Sequence, residues 1–254
     1  MELIGHKLVG SGNEKVLLLH NWFGDSTSYD SLLPYLNTEK FTYLLIDVRG
    51  YGLSKEISGT YTVDEVVKDA IALANSLSWD QFHVVGHSMS GMIVQKIAVD
   101  HPSRVKSVVA ITPVPPCGAR NPPEVMGFLE QAALGNDDFA TECVNMLTNR
   151  RYSPLFAQKM IAYWRTCSKP EARVGYLHMY SDTDFSDRAK GLKTPMLVIY
   201  GDQDFGDQKA LLTNTFLQWY PNAQLECCTA SGHYPQEETP VFLASLIEKF
   251  LLSH

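Results

Sequence analysis

Ser88 stands at the apex of Val84-Val85-Gly86-His87-Ser88-Met89-Ser90-Gly91, between an apolar run at 82–85 and a helical pattern carried by Met92, Ile93, Ile97 and Ala98. A strand that turns sharply into a helix holds a serine in a constrained backbone conformation and lifts its hydroxyl clear of the sheet, which is the geometry of a G-x-S-x-G nucleophile elbow. The pattern departs at one place: Ser90 occupies the second glycine position, with Gly91 one step later. A serine is small enough to fit where strand and helix pass closely. A serine hydroxyl attacks carbonyl carbon poorly until a base takes its proton, so the chemistry asks for a histidine and for a carboxylate to orient it. His233 follows a short β-type run at 225–229 and sits in a Gly-His turn before the last helical pattern. Asp202, Asp204 and Asp207 follow the apolar run at 196–200.

These residues need a sheet to hold them. Short apolar runs at 16–19, 43–48, 82–85, 105–111, 196–200 and 225–229 alternate with helical patterns, which predicts a mostly parallel twisted sheet covered by helices. A loop at 21–26 leads to a predicted helix through Tyr29, Leu32 and Leu33. Residues 63–77 read as an amphipathic helix, and 240–252 as the closing one. Between Pro113 and Thr194 the alternation stops, and Pro113, Pro115, Pro116, Pro122 and Pro123 make the exit from the sheet irregular. Helical patterns follow at 125–134, 138–147 and 154–166, with a shorter one from Glu171. We therefore expect a core of 1–112 and 195–254 and an all-helical cap of 113–194, inserted after the strand near Ile111. Insertions after sheet strands sit at the carboxyl edge, where open α/β sheets bind ligands.

The 254 residues carry 21 basic and 28 acidic side chains, a net charge of −7. This argues against nucleic acid, against anionic membrane surfaces and against an acidic carrier protein as partner. No apolar run is long enough for a transmembrane helix, and the N-terminus lacks the shape of a signal peptide. Cys117, Cys143, Cys167, Cys227 and Cys228 are odd in number and include no C-x-x-C pair, so free thiols in the reducing cytoplasm are expected. No metal-ligand spacing, dinucleotide fingerprint or phosphate loop appears, so no metal or cofactor is expected. The expected assembly is a monomer or homodimer.

From about Lys15 onward the chain resembles the α/β-hydrolase superfamily. Leu17-Leu18-Leu19-His20-Asn21-Trp22-Phe23-Gly24 is similar to its H-G-x-x-G oxyanion loop, with Asn21 in place of glycine. Asp47-Val48-Arg49-Gly50-Tyr51-Gly52-Leu53-Ser54 is similar to its D-x-R-G-x-G-x-S segment. Gly86 to Ser90 is the elbow, and Gly201-Asp202-Gln203-Asp204 and Ser231-Gly232-His233 resemble the segments that carry acid and base. The resemblance implies the α/β-hydrolase fold, Ser88 as nucleophile, His233 as general base and Asp204 as the orienting acid, in the order Ser88…Asp204…His233. It also implies an oxyanion hole from the backbone N–H of Met89 and of Trp22, with Asn21 the second choice for the latter donor. Asparagine tolerates a left-handed turn best after glycine. Asp47 and Arg49 are expected to fix the loop beyond their strand rather than to react. Trp22, Met160, Tyr163 and Trp164 are the expected substrate contacts; for the Trp22 indole a packing role is an equal alternative.

A serine nucleophile implies acyl transfer to water, so the leading expectation is a carboxylesterase or lactonase of small molecules. Haloalkane dehalogenase or epoxide hydrolase chemistry would require aspartate at position 88. A C–C bond hydrolase, for which Arg120, Arg150, Arg151 or Arg165 supplies a cation, remains open. So does a cofactor-independent dioxygenase, though residues 111–114 carry no acid. A non-catalytic receptor-like binding module is the alternative outside enzymes.

Overall fold

Seven strands form one sheet in the order β1-β3-β2-β4-β5-β6-β7. They are β1 (His6–Val9), β2 (Glu14–Leu19), β3 (Phe41–Ile46), β4 (Phe82–His87), β5 (Val105–Ile111), β6 (Met196–Gly201) and β7 (Ala223–Cys228). The computed structural model that shows this describes residues 3–254. Only β1 runs antiparallel, against β3; every other pairing is parallel. Strands β3 and β4 are buried at every position, as their unbroken apolar runs require when helices cover both faces. The edge strand β7 alternates instead.

The helices are α1 (Val63–Ser76), α2 (Met89–Asp100), α3 (Pro123–Leu134), α4 (Asp137–Leu147), α5 (Pro154–Cys167), α6 (Pro170–Asp182), α7 (Ser186–Ala189), α8 (Gln208–Asn214), α9 (Phe216–Trp219), α10 (Pro235–Glu238) and α11 (Pro240–Leu251). Helix α1 begins where the Thr62 hydroxyl accepts the Glu65 N–H, and Asp64 and Glu65 in its first turn complement the helix dipole. Helix α2 is buried from Met89 to Ala98, directly behind the elbow. Two apolar layers result. One packs α1, α2 and the inserted helices on one sheet face; the other packs α11 and the 26–36 segment on the opposite face.

Helices α3 to α7 all lie between β5 and β6, with no strand among them. Helix α6 is 13 residues long, not the shorter element expected, because Pro170 starts it a residue early and its apolar positions run on to Tyr180. The expected helix through Tyr29, Leu32 and Leu33 is instead two 3₁₀ turns, Ser26–Tyr29 and Leu33–Tyr35. Pro34 has no N–H to give Asp30, so a continuous α-helix there would lose a bond in its ladder. Strand β1 and helices α8 to α10 escaped the sequence reading, being short and lacking a sustained apolar period. The five cysteines form no disulfide, and among the described residues no helix is long and apolar enough to cross a membrane.

Register decides what meets at the carboxyl edge. Leu19 pairs with Gly86, His87 with Ile111, Ile111 with Ile199, and Gly201 with Cys228. The segments that leave β2, β4, β6 and β7 therefore emerge side by side.

Candidate active site

Ser88 has φ 58° and ψ −114°, between the end of β4 and the start of α2. A non-glycine residue held there stores roughly 1–3 kcal/mol. The surroundings over-determine it: the Ser88 N–H donates to the Ile111 carbonyl at 2.9 Å, and its own carbonyl accepts the N–H groups of Gly91 at 2.9 Å and Val114 at 3.1 Å. The departure at position 90 has a physical account. A Cβ at Gly91 would lie 2.4 Å from the Pro113 Cβ, so the glycine is needed at 91. Position 90 has room for a hydroxymethyl group, and the Ser90 hydroxyl donates to the His20 carbonyl, tying the elbow to the loop after β2.

That loop is itself locked. His20 Nδ1 donates to the Asn21 carbonyl at 2.7 Å while its Nε2 accepts the Val48 N–H at 3.2 Å. The Asn21 Oδ1 accepts the Phe23 N–H at 2.7 Å, and Tyr51 donates its hydroxyl to the Trp22 carbonyl at 3.0 Å. Asn21 thus closes the turn through its side chain, where glycine would do so through backbone freedom alone. The backbone N–H groups of Trp22 and Met89 have no loop or side-chain acceptor among the described residues. Asp47 accepts the N–H groups of Ser26 at 2.7 Å and Leu53 at 2.9 Å, and Arg49 forks onto Asp69 at 2.6 and 2.9 Å. Both stabilise the loops around the site and neither faces Ser88.

His233 Nε2 lies 2.8 Å from Ser88 Oγ, and its Nδ1 lies 2.9 Å from Asp204 Oδ2. The Asp204 side chain is fully buried, and its other oxygen accepts the Phe205 N–H at 2.8 Å. Asp202 and Asp207 make no bond to the imidazole; Asp207 caps α8 through the Ala210 N–H. A Cβ at Gly201 would fall 2.2 Å from the carbonyl oxygens of Ser231 and Gly232, so only glycine lets the turns that carry Asp204 and His233 approach this closely.

Five residues to which the sequence reading gave no contact with His233 hold it, directly or through one another. Its carbonyl accepts His87 Nε2 at 2.6 Å and the Thr112 hydroxyl at 3.2 Å. Glu238 accepts the N–H of Gly232 at 2.8 Å and of Tyr234 at 2.9 Å, so one buried carboxylate grips the peptide on both sides of His233. Arg151 pairs with that carboxylate, and the His233 N–H donates to the Leu147 carbonyl at 3.0 Å. Burial, followed by the nearby His233, holds the His87 imidazole well below its ordinary range, so it is neutral. The only available signal for these contacts was Pro235, which starts a one-turn helix and so returns Glu238 towards Gly232.

A cavity of about 230 Å³ lies between the loop after β2, helix α5 and helix α10; Ser88, Met89 and His233 are not on its wall. Met160 and Tyr163 line it together with Asn21, Phe23, Ser28 and Gln236. Tyr163 donates to Asp25, and burial, then that carboxylate, keeps its hydroxyl protonated far above the usual phenol range. Trp22 and Trp164 are not on this wall. The Trp22 indole donates to the Arg173 carbonyl at 2.8 Å, and its ring packs 4.8 Å from that of Trp164, which is completely buried. The Trp22 indole thus packs against the inserted helices.

A mostly parallel sheet with a strained serine after β4, a histidine after β7 and a carboxylate after β6 defines a hydrolase-type α/β fold. The chain belongs to the alpha/beta hydrolase fold family, whose model matches residues 15–240. It is 26% identical to a non-heme haloperoxidase of Rhodococcus erythropolis, over 95% of this chain and 96% of that protein. It is also 26% identical to a pimeloyl-[acyl-carrier protein] methyl ester esterase of Salmonella heidelberg, over 89% of each. In three dimensions it matches an esterase from Exiguobacterium antarcticum with a TM-score of 0.84 at 18% identity, covering 97% of this chain and 94% of that one.

Proposed function

We propose that this protein is a serine hydrolase that cleaves a small carboxylic ester or lactone through an acyl-enzyme on Ser88. The observation that carries the reading is the unbroken chain Ser88 Oγ–His233–Asp204, with both imidazole nitrogens engaged at 2.8 and 2.9 Å. His233 Nε2 takes the serine proton as Oγ attacks the carbonyl carbon. The tetrahedral oxyanion is met by the backbone N–H groups of Trp22 and Met89. Collapse breaks the carbon–oxygen bond, and the departing alkoxide takes the proton back from His233. Water then repeats the sequence on the acyl-enzyme and releases the carboxylic acid. Asp204 keeps the proton of the resting imidazole on Nδ1 and stabilises the imidazolium between steps.

The helices of 113–194 serve as a cap. Supporting this, they reach the sheet edge through Leu147 and Arg151 at the base loop, Tyr163 at Asp25, and Arg173 at Trp22. Five unpaired thiols and the acidic net charge favour a cytoplasmic enzyme of small molecules, without nucleic-acid or membrane partners.

The purified protein is expected to hydrolyse p-nitrophenyl acetate or butyrate, and Ser88→Ala to lose about a thousandfold or more of that rate. Undiminished turnover in Ser88→Ala removes Ser88 from the mechanism. Absence of turnover by the wild type on every ester and lactone tried moves the reading to a binding module.

A further inference from the structure

Arg173, near the start of α6, is buried, and its guanidinium meets no carboxylate among the described residues. Burial, then the nearby Arg165 guanidinium, holds its pKa below the ordinary value, so the charge depends on what surrounds it. Its Nε donates to the Ala133 carbonyl at 2.7 Å, and its Nη1 donates to the Ser168 carbonyl at 3.0 Å and the Ser168 hydroxyl at 3.2 Å. Ala133 lies in the last turn of α3, and Ser168 directly follows α5. Helix C-termini carry partial negative charge and unpaired carbonyls, so two of them take the place of a counter-ion. The guanidinium also lies 5.1 Å from the centre of the Trp164 ring, within reach of a cation–π contact.

The same residue reaches the oxyanion loop by two routes. Its backbone carbonyl accepts the Trp22 indole N–H at 2.8 Å. Trp164, beside its guanidinium, packs its ring 4.8 Å from that of Trp22. Trp22 is held at two further points, both from the sheet side. The peptide plane joining Asn21 to Trp22 carries the Asn21 carbonyl and the Trp22 N–H on opposite edges, and His20 Nδ1 donates to that carbonyl at 2.7 Å. The Tyr51 hydroxyl donates to the Trp22 carbonyl at 3.0 Å. Two attachments leave a residue free to pivot about the line that joins them, and a third, off that line, stops the pivot. The indole extends away from the backbone and supplies this third attachment, which is made to the inserted helices.

We propose that Arg173 is a positioning residue for the oxyanion hole: by clamping the start of α6 to the ends of α3 and α5, it fixes the carbonyl that holds the Trp22 indole, and through the indole it aims the Trp22 N–H. This rests on the ester-hydrolase reading and gives the inserted helices a part in the chemical step. Arg173 acts through Trp22 and not on the substrate. The charge that the Trp22 N–H meets develops only in the transition state, so a loosened clamp lowers kcat and spares substrate binding.

The test is a double-mutant cycle of Trp22→Phe and Arg173→Lys. The first removes the indole N–H and keeps a ring. The second keeps the charge, but a single ammonium lacks the fork that spans Ala133 and Ser168. Turnover of p-nitrophenyl butyrate is measured beside inhibition by an alkyl trifluoromethyl ketone and by the matching methyl ketone. The trifluoromethyl ketone adds Ser88 Oγ and places a charged hemiketal oxygen in the hole; the methyl ketone binds without adding. Removing a whole oxyanion donor costs about 10²–10³ in kcat, and misaiming one should cost less. Each single variant should lower kcat about tenfold with KM within about threefold, weaken the trifluoromethyl ketone about tenfold and leave the methyl ketone within about twofold. The double variant should be no slower than the slower single one, within about twofold, because both act through one contact. Circular dichroism and thermal melts check that each variant is folded. Should Arg173→Lys not fold, Ser168→Ala, which removes one acceptor and leaves the guanidinium, should show the same pattern at about threefold. Losses that multiply in the double variant overturn the positioning role and leave the hydrolase reading standing. So does an arginine or serine variant that weakens both ketones alike or raises KM at constant kcat. Absence of both turnover and trifluoromethyl ketone inhibition in the wild type overturns the hydrolase reading and the positioning role together.

Discussion

At the scale of single residues, the two departures from the superfamily pattern become devices rather than defects. Asn21 replaces backbone freedom with a side-chain bond to Phe23, and Ser90 uses its hydroxyl to hold the His20 carbonyl. Ser90→Gly restores the commoner residue but removes that buried bond. It should cost about 1–2 kcal/mol of stability and lower kcat on p-nitrophenyl acetate roughly tenfold, with little change in KM, because the Trp22 N–H then sits less firmly where charge develops. Thermal melts and steady-state kinetics check this; an unchanged kcat and melting temperature would show that the bond is idle. The positions of Ser88, Asp204 and His233, which the fold brings within hydrogen-bond reach of one another, were legible in the chain because each sits at a fixed offset from a strand end. The residues that hold His233 were not. His87, Thr112 and Glu238 act through the His233 peptide from separate turns, and nothing in their local sequence announces a partner.

At the scale of elements, the parallel strands were legible from continuous apolar runs, and the inserted helices from the loss of that alternation. What could not be read was how the insertion attaches. The end of α4 and the turn after it supply the Leu147 carbonyl and the Arg151 guanidinium to the loop that carries His233, so one short segment joins the inserted helices to that loop. Glu238 is the common point, taking Arg151 from the insertion and two N–H groups from the base loop. Glu238→Gln keeps an acceptor but gives up the charge. We expect kcat to fall about ten- to a hundredfold with KM changed less than threefold, since substrate contacts remain while the imidazole loses alignment. A rise in KM at constant kcat would place Glu238 in substrate binding instead. The 26–36 segment shows the opposite limit: its apolar spacing suits a helix, but Pro34 divides it into two short turns.

Across the whole molecule, two buried histidines make stability depend on pH. His83 lies inside β4 with Nδ1 at 2.7 Å from the Ser107 hydroxyl and Nε2 at 3.6 Å from Glu14. Burial, with Lys106 nearby, lowers it to about 4. Its unfolded value is about 6.5, so between these values the unfolded chain binds the proton and the folded one does not. The His83 contribution to stability is therefore fully present above about 6.5, declines as pH falls through the window, and changes no further below about 4, a loss of roughly 3 kcal/mol. His87 adds to the decline in the same direction. Urea unfolding midpoints of His83→Gln should show a flatter acid limb than the wild type; an identical limb would exclude His83 as its source.

The central claim concerns one oxygen atom in that frame. Intact-protein and peptide mass spectrometry after treatment with a fluorophosphonate reads it directly. The account predicts a single stoichiometric adduct on Ser88, absent in Ser88→Ala and strongly slowed in His233→Ala, whose serine lacks its base. An adduct on any other residue, or equal labelling of Ser88 with and without His233, would contradict it.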